Sequence, residues 1–178
     1  RAGPAGLWPA GLTPLWSVDP ALRLWRIAIA LPPVWSAEGA RLHGGRWNQP
    51  GTPAIYAATS YASAVLEILV HGNVGRVPRG FRYVTIDVSD DARIDRVAPG
   101  TVPAWDAMPP GASSAFGDAW LREQEALVLL VPSVVTNGLD LNALINPLHP
   151  AFDRIVIGAE AAVRWDTRLL PSEEPRKR

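Results

Sequence analysis

The sequence predicts an α+β fold in a single domain, and three observations predict it. Its 178 residues suit one packed unit. Segments with the period of two of a strand and segments with the 3.6-residue period of a helix are both present. These segments do not alternate in the regular strand–helix–strand order that builds a doubly wound sheet.

Element by element, residues 1–21 are rich in Gly, Pro and Ala, and their proline spacing forbids a regular helix. They read as an irregular arm whose tryptophans, Trp8 and Trp16, dock on the domain. The domain proper is expected over residues 22–170, followed by a flexible tail over 171–178. Leu24 to Ile29 alternates and reads as a strand ended by Pro32-Pro33. Residues 36–53 hold four glycines and two prolines and read as a shaped loop presenting Arg46, Trp47 and Asn48. Pro53 to Ala58 reads as a short strand. Ser60 is placed to cap a helix that runs to His71 and stops at Gly72. Residues 80–89 alternate strictly and make the clearest strand; Pro99 to Gly111 is loop. A short helix over Ser114 to Glu125 leads into a buried strand, Ala126 to Val131, which ends at Pro132-Ser133. Leu139 to Asn146 reads as irregular or a turn of helix, and Arg154 to Gly158 as a last strand.

Composition excludes several chemistries. With no cysteine there is no disulfide scaffold, thiolate zinc site, iron–sulfur cluster or cysteine nucleophile. The 17 basic residues are sixteen arginines and the single Lys177, so anions must be bound by arginine, through planar bidentate hydrogen bonds. A net charge of zero argues against a broad nucleic-acid footprint. The longest apolar run, Ala126 to Val131, falls far short of the roughly 20 residues of a membrane helix. The prolines of the first residues leave no apolar core for a signal peptide. Position one is arginine, which fits a trimmed chain or the end piece of a longer protein. The three histidines lie in separate elements without metal-ligand spacing, so no metal is expected. Neither a dinucleotide fingerprint, a phosphate-binding GxxxxGK loop nor a GxSxG elbow occurs.

Single residues leave alternatives open. Glu67 interrupts an apolar helix; it fits an ordinary i,i+4 pair with His71 on a solvated strip. It equally fits a carboxylate beside a ligand, because Ser60, Ser63 and Ala64 on the same face are small. Arg46 fits either a loop arginine stacked on Trp47 or a guanidinium aimed at a phosphate or carboxylate. Arg26 lies inside an apolar strand, where an unpaired charge is costly and a structural partner is one explanation. Tyr56 fits core packing, and Ser133 fits a backbone-bonded turn.

The combination is more specific. The run GARLHGGRWNQPGTPAIYAATSYASAVLEILVH resembles the core motif of the RES-domain family, the toxins of RES–Xre toxin–antitoxin modules. Collinear with it stand Trp25-Arg26-Ile27, Gly117-Asp118-Ala119-Trp120-Leu121, Val131-Pro132-Ser133, Asn146 to Pro150 and Arg164 to Leu169. The family is named for an arginine, a glutamate and a serine, matched here by Arg46 or Arg26, Glu67 and Ser133. Where the family often has tyrosine, this chain has Trp25, which supplies no phenol hydroxyl.

The resemblance implies a split, twisted mixed sheet like that of ADP-ribosyltransferases, with NAD⁺ bound in its cleft as the substrate. It implies a toxin that breaks the nicotinamide–ribose bond by hydrolysis or phosphorolysis and arrests growth. Transfer of ADP-ribose to a specific protein is the alternative, and a non-enzymatic partner-binding module the third. On this reading Glu67 stabilises an oxocarbenium-like ribosyl cation or orients a nucleophile. Arg46 and Arg26 hold the pyrophosphate or position inorganic phosphate. Tyr56 gives a ring face to nicotinamide or ribose, beside Trp25 and Asn48, and Ser133 and Asn146 hydrogen-bond ribose hydroxyls or the carboxamide. The implied partner is an Xre-type helix-turn-helix antitoxin that carries the DNA binding, or an immunity protein if the chain ends a secreted effector. The implied location is the bacterial cytoplasm, or another cell's cytoplasm after delivery.

Overall fold

A computed structural model describes residues 22–30, 33–71, 80–98 and 100–169. The expected arm, the tail, Pro32 and the stop at Gly72 lie outside them. Among the described residues, eight strands and three helices run in the order β1 (Leu22–Ile29), α1 (Glu38–His43), β2 (Ile55–Ala58), α2 (Tyr61–His71), β3 (Phe81–Val88), β4 (Ile94–Arg96), α3 (Ala112–Glu123), β5 (Val128–Pro132), β6 (Leu141–Ile145), β7 (Val156–Ile157) and β8 (Ala161–Ala162). All strands join one mixed sheet ordered β4-β5-β6-β2-β1-β3-β7, with β8 also on β3. The β4–β5 pair is parallel, and the β1–β3, β5–β6 and β2–β6 pairs are antiparallel.

The centre of the sheet is split. β1 pairs with β3 along its whole length, from Leu22↔Val88 to Ile29↔Phe81. β2 pairs in full with β6, from Ile55↔Ile145 to Ala58↔Asn142. Between β1 and β2 there is one register pair, Trp25↔Ala58. The cleft lies beside this pair, lined from both halves.

Packing explains the strand pattern. Val84, Ile86 and Val88 send every second side chain of β3 into a core shared with Leu24, Ile55, Leu127, Val128 and Ile145. A second core lies under α3, where Trp120 and Leu121 meet Trp47, Leu129, Val131 and Leu144. Gly117 allows this approach: a Cβ there would lie 2.0 Å from the Trp47 carbonyl oxygen. α2 seats Ala64 on Ile27 and Ala58. Its start is capped as expected, the Ser63 N–H donating to Ser60 Oγ at 3.0 Å.

Three expectations are corrected. Residues 36–53 contain the six-residue helix α1, steadied by the Arg41–Glu38 ion pair at 2.6 Å; with Gly39 inside, it is too short for a periodic signal. Leu141–Ile145 is a central strand, made so by pairing with β2 and β5 rather than by its own Asn-interrupted pattern. The last expected strand shrinks to Val156–Ile157, preceded by a 3-10 turn over Phe152–Arg154.

Candidate active site

A cleft of about 720 Å³ opens at the sheet split, within the range of about 300–1,000 Å³ typical of small-molecule and cofactor sites. Trp25 and Arg26 from β1, Tyr56 and Ala58 from β2, Ala64 and Glu67 from α2, Arg46 from the loop after α1 and Asn142 from β6 all line it. The β1–β2 register places Trp25 beside Ala58, and the β2–β6 register places Ala58 beside Asn142. Cross-strand neighbours share a sheet face, so this row forms part of the cleft wall, with the small Ala58 keeping it open.

Glu67 is the carboxylate of the cleft. Its Oε1 accepts from Ser133 Oγ at 2.8 Å and from Asn142 Nδ2 at 2.6 Å. Oε2 receives neither donor; His71 Nδ1 stands 3.8 Å away and itself sits 2.7 Å from the Glu67 carbonyl oxygen. The carboxylate is thus fixed through one oxygen, with its side chain 22% exposed. Ser133, directly after β5, is fully buried behind it. Asn142 was not legible as a site residue. An amide set in an otherwise apolar Leu-Asn-Ala-Leu-Ile strand was the signal, visible once the segment is known to be a strand.

Arg26 is half-buried at the split. Nε donates to the Val34 carbonyl at 2.5 Å, Nη1 to Tyr56 O at 2.6 Å and Nη2 to Ser36 O at 3.0 Å. It therefore knits β1 to β2 where the sheet has its single register pair. Burial pulls its guanidinium down to about 10, which leaves it charged at neutral pH. Among the described residues no carboxylate forms an ion pair with it. Arg46 is held differently: Nη1 donates to the carbonyls of Trp105 at 3.0 Å and Ala107 at 2.9 Å, and Nη2 to Met108 Sδ at 3.1 Å.

Tyr56 presents its ring to the cleft, but its hydroxyl is committed. It donates to Asn48 Oδ1 at 2.7 Å and accepts from the Trp47 N–H at 2.9 Å. Burial raises the phenol above its ordinary range. Gly45 is needed beside it, since a Cβ there would lie 2.6 Å from the Tyr56 oxygen.

Three expected binders fall outside the cleft lining: Ser133, whose hydroxyl donates to Glu67, Asn48 and Asn146. Asn48 is buried, its Nδ2 donating to the carbonyls of Ala40 at 2.9 Å, Gln49 at 3.2 Å and Thr52 at 2.9 Å, so its polar atoms close the loop. Asn146 is also buried; Nδ2 donates to Leu121 O at 2.7 Å and Oδ1 accepts from the Leu148 N–H at 3.0 Å. Both satisfy backbone rather than a ligand. Trp47, expected on the loop surface, is a core residue edge-on to Phe116. Asp118 of the matched GDAWL run braces the loop from α3. Burial pushes its carboxyl up, but hydrogen bonds from Thr52, the Gln49 N–H and Arg122 outweigh this and leave it below its ordinary value. Among the described residues no group of three or more His, Asp or Glu side chains could hold a metal ion.

Comparison with known proteins agrees with this architecture. The chain is 42% identical over 141 residues to the Prs ADP-ribosylating toxin of Sphingobium sp., covering 76% of this chain and 86% of that protein. It is 36% identical over 153 residues to a toxin Res of Yersinia enterocolitica, covering 83% and 99%. To the NAD(+) phosphorylase MbcT of Mycobacterium tuberculosis it is 35% identical over 92 residues, 48% of each. The crystal structure of the M. tuberculosis MbcT–MbcA toxin–antitoxin complex shares the fold, with a TM-score of 0.60 and 20% identity over 79% of this chain and 82% of that one. The RES domain family model matches residues 23–166; the chain belongs to the RES-domain family.

Proposed function

We propose that this protein is a toxin that consumes NAD⁺ by breaking the bond between nicotinamide and ribose. The observation that carries the reading is the cleft carboxylate Glu67, the only one lining the cleft among the described residues, clamped by Ser133 and Asn142 beside Arg26 and Arg46. When the C1′–N bond breaks, its electron pair goes to the nicotinamide nitrogen and neutralises the pyridinium. The ribose is left as an oxocarbenium-like cation. A fixed carboxylate lowers the energy of that positive charge without reorganising. The guanidinium groups answer the two negative charges of the pyrophosphate, and Arg26 brings a charge that no carboxylate among the described residues neutralises. The rings of Trp25 and Tyr56 offer faces for nicotinamide or ribose.

The acceptor at C1′ is water or inorganic phosphate in this reading, in keeping with the name of the phosphorylase relative. A second reading keeps the same bond cleavage and sends ADP-ribose to a protein; the name of the 42% identical relative favours it. The partner in either case is an antitoxin, as in the complex that shares the fold, and its finer type is the Xre helix-turn-helix class. The site of action is a bacterial cytoplasm. Among the described residues no helix is long and apolar enough to cross a membrane.

Purified protein incubated with NAD⁺ is expected to release nicotinamide. Phosphate-dependent release identifies phosphorolysis, and label from NAD⁺ appearing on a lysate protein identifies the second reading. No nicotinamide release under any of these conditions overturns both.

A further inference from the structure

Asn142 has a role that the family motif does not mark. We infer that Asn142 is a positioning residue that, with Ser133, pins Glu67 through Oε1 and so makes Oε2 the oxygen that faces the reacting ribose. The inference rests on the proposed NAD⁺ chemistry of the cleft.

The argument starts from the hydrogen-bond inventory. An ionised carboxylate only accepts, so the amide end facing Glu67 must be the Nδ2 donor. At 2.6 Å from Oε1 it makes a short, charge-assisted bond. The same orientation leaves Asn142 Oδ1 buried, with no hydrogen-bond partner among the described residues. An unpaired buried acceptor is costly and calls for an explanation.

Folding does not supply one. β6 is otherwise apolar, and its neighbours Ala143, Leu144 and Ile145 are fully buried. The strand's backbone is already paired on both sides, Asn142 lying opposite Ala58 on β2 and Val131 on β5. A leucine would serve the sheet without an orphaned carbonyl. What an aliphatic side chain cannot do is donate to Glu67.

Geometry shows why two donors on one oxygen matter. Ser133 follows β5 and Asn142 sits on β6, adjacent strands of one sheet half. Their donors converge on the same Oε1 and leave Oε2 without either. With a single donor the carboxylate can tilt about its last bond while keeping that hydrogen bond. With two donors from a paired sheet, that tilt costs one of the two bonds.

The test compares wild type with Asn142→Leu and the isosteric Asn142→Asp, reading nicotinamide release from NAD⁺ and thermal melting. Asn142→Leu is expected to melt at or above the wild-type temperature, because it removes the orphaned acceptor. Its kcat is expected to fall about tenfold to hundredfold, the scale of one lost hydrogen bond to an ionised group, with KM within about threefold. Asn142→Asp sets a second carboxylate against Glu67 and is expected to lose more activity than Asn142→Leu. A lowered melting temperature with kcat within about twofold of wild type overturns the inference. So does an Asn142→Asp protein with wild-type kcat, which decides the matter even if Asn142→Leu folds poorly. Wild-type protein that leaves NAD⁺ intact overturns the reading of the cleft and this inference with it; active wild type with unaffected variants overturns the inference alone.

Discussion

The carboxylate and the loop arginine of the cleft are held by opposite means. Glu67 sits on a helix and is gripped by Ser133, directly after β5, and Asn142 on the neighbouring β6, with Ser133 fully buried. Arg46 sits on a loop and is held by carbonyls of Trp105 and Ala107 and by the sulfur of Met108, a residue 79% exposed. The first arrangement fixes a charge in one place. The second parks a guanidinium on neutral partners at the protein surface, and an incoming phosphate, being charged, competes well against them. Arg26 stands between the two: it is half-buried at the split but bonded to backbone carbonyls like Arg46. Under the proposed function, the contrast assigns chemistry to the clamped wall and ligand capture to the looser one.

Substitutions can break or sharpen that contrast. The largest effect is expected for Glu67→Gln, which keeps size and removes charge. Nicotinamide release should fall by about 10²–10⁴ while NAD⁺ still binds. Wild-type rates from this variant would remove Glu67 from the chemistry. Next comes Ser133→Ala, which leaves Asn142 as the lone donor on Oε1; kcat should fall about tenfold, with KM little changed. On the looser wall, Arg46→Lys keeps the charge and loses the planar fork. KM for NAD⁺ should rise about tenfold and kcat stay within about threefold. If Arg46→Lys lowers kcat and leaves KM alone, the division between the two walls fails.

What the sequence revealed follows the same division. Glu67 was legible because a lone carboxylate inside an apolar helix departs from its surroundings. The helix itself was legible because Ser60 caps it and its pattern repeats over eleven residues. Ser133 was reachable only through the ordered motifs, since a serine after a proline looks like any turn. Asn142 was out of reach because its strand exists through pairing with β2 and β5, and no local pattern marks it as a strand. Asn48 and Asn146 lie outside the cleft lining for a related reason. A polar residue in a glycine- or proline-rich segment can face a ligand or close its own backbone, and sequence does not separate the two. In both residues the amide binds backbone groups. The alternating strand β3 was plain, whereas the three residues of β4 are fewer than any periodicity can register.

The smallest effect on activity is expected at the residue that looks most catalytic by type. Tyr56 lines the cleft, yet its hydroxyl is a buried joint between the Trp47 N–H and Asn48 Oδ1. Burial holds the phenol above its ordinary range, so it stays protonated at neutral pH and cannot serve as a base there. Tyr56→Phe keeps the ring face and deletes the joint, leaving a donor and an acceptor of the loop unpaired. Turnover of NAD⁺ should stay within about threefold of wild type, while stability falls by about 1–3 kcal/mol. Denaturant melts and nicotinamide release measured on the same preparation separate the two effects. A loss of turnover approaching that of Glu67→Gln, with stability unchanged, would move the hydroxyl from the scaffold into the chemistry. It would also mean that the loop wall does more than capture the ligand.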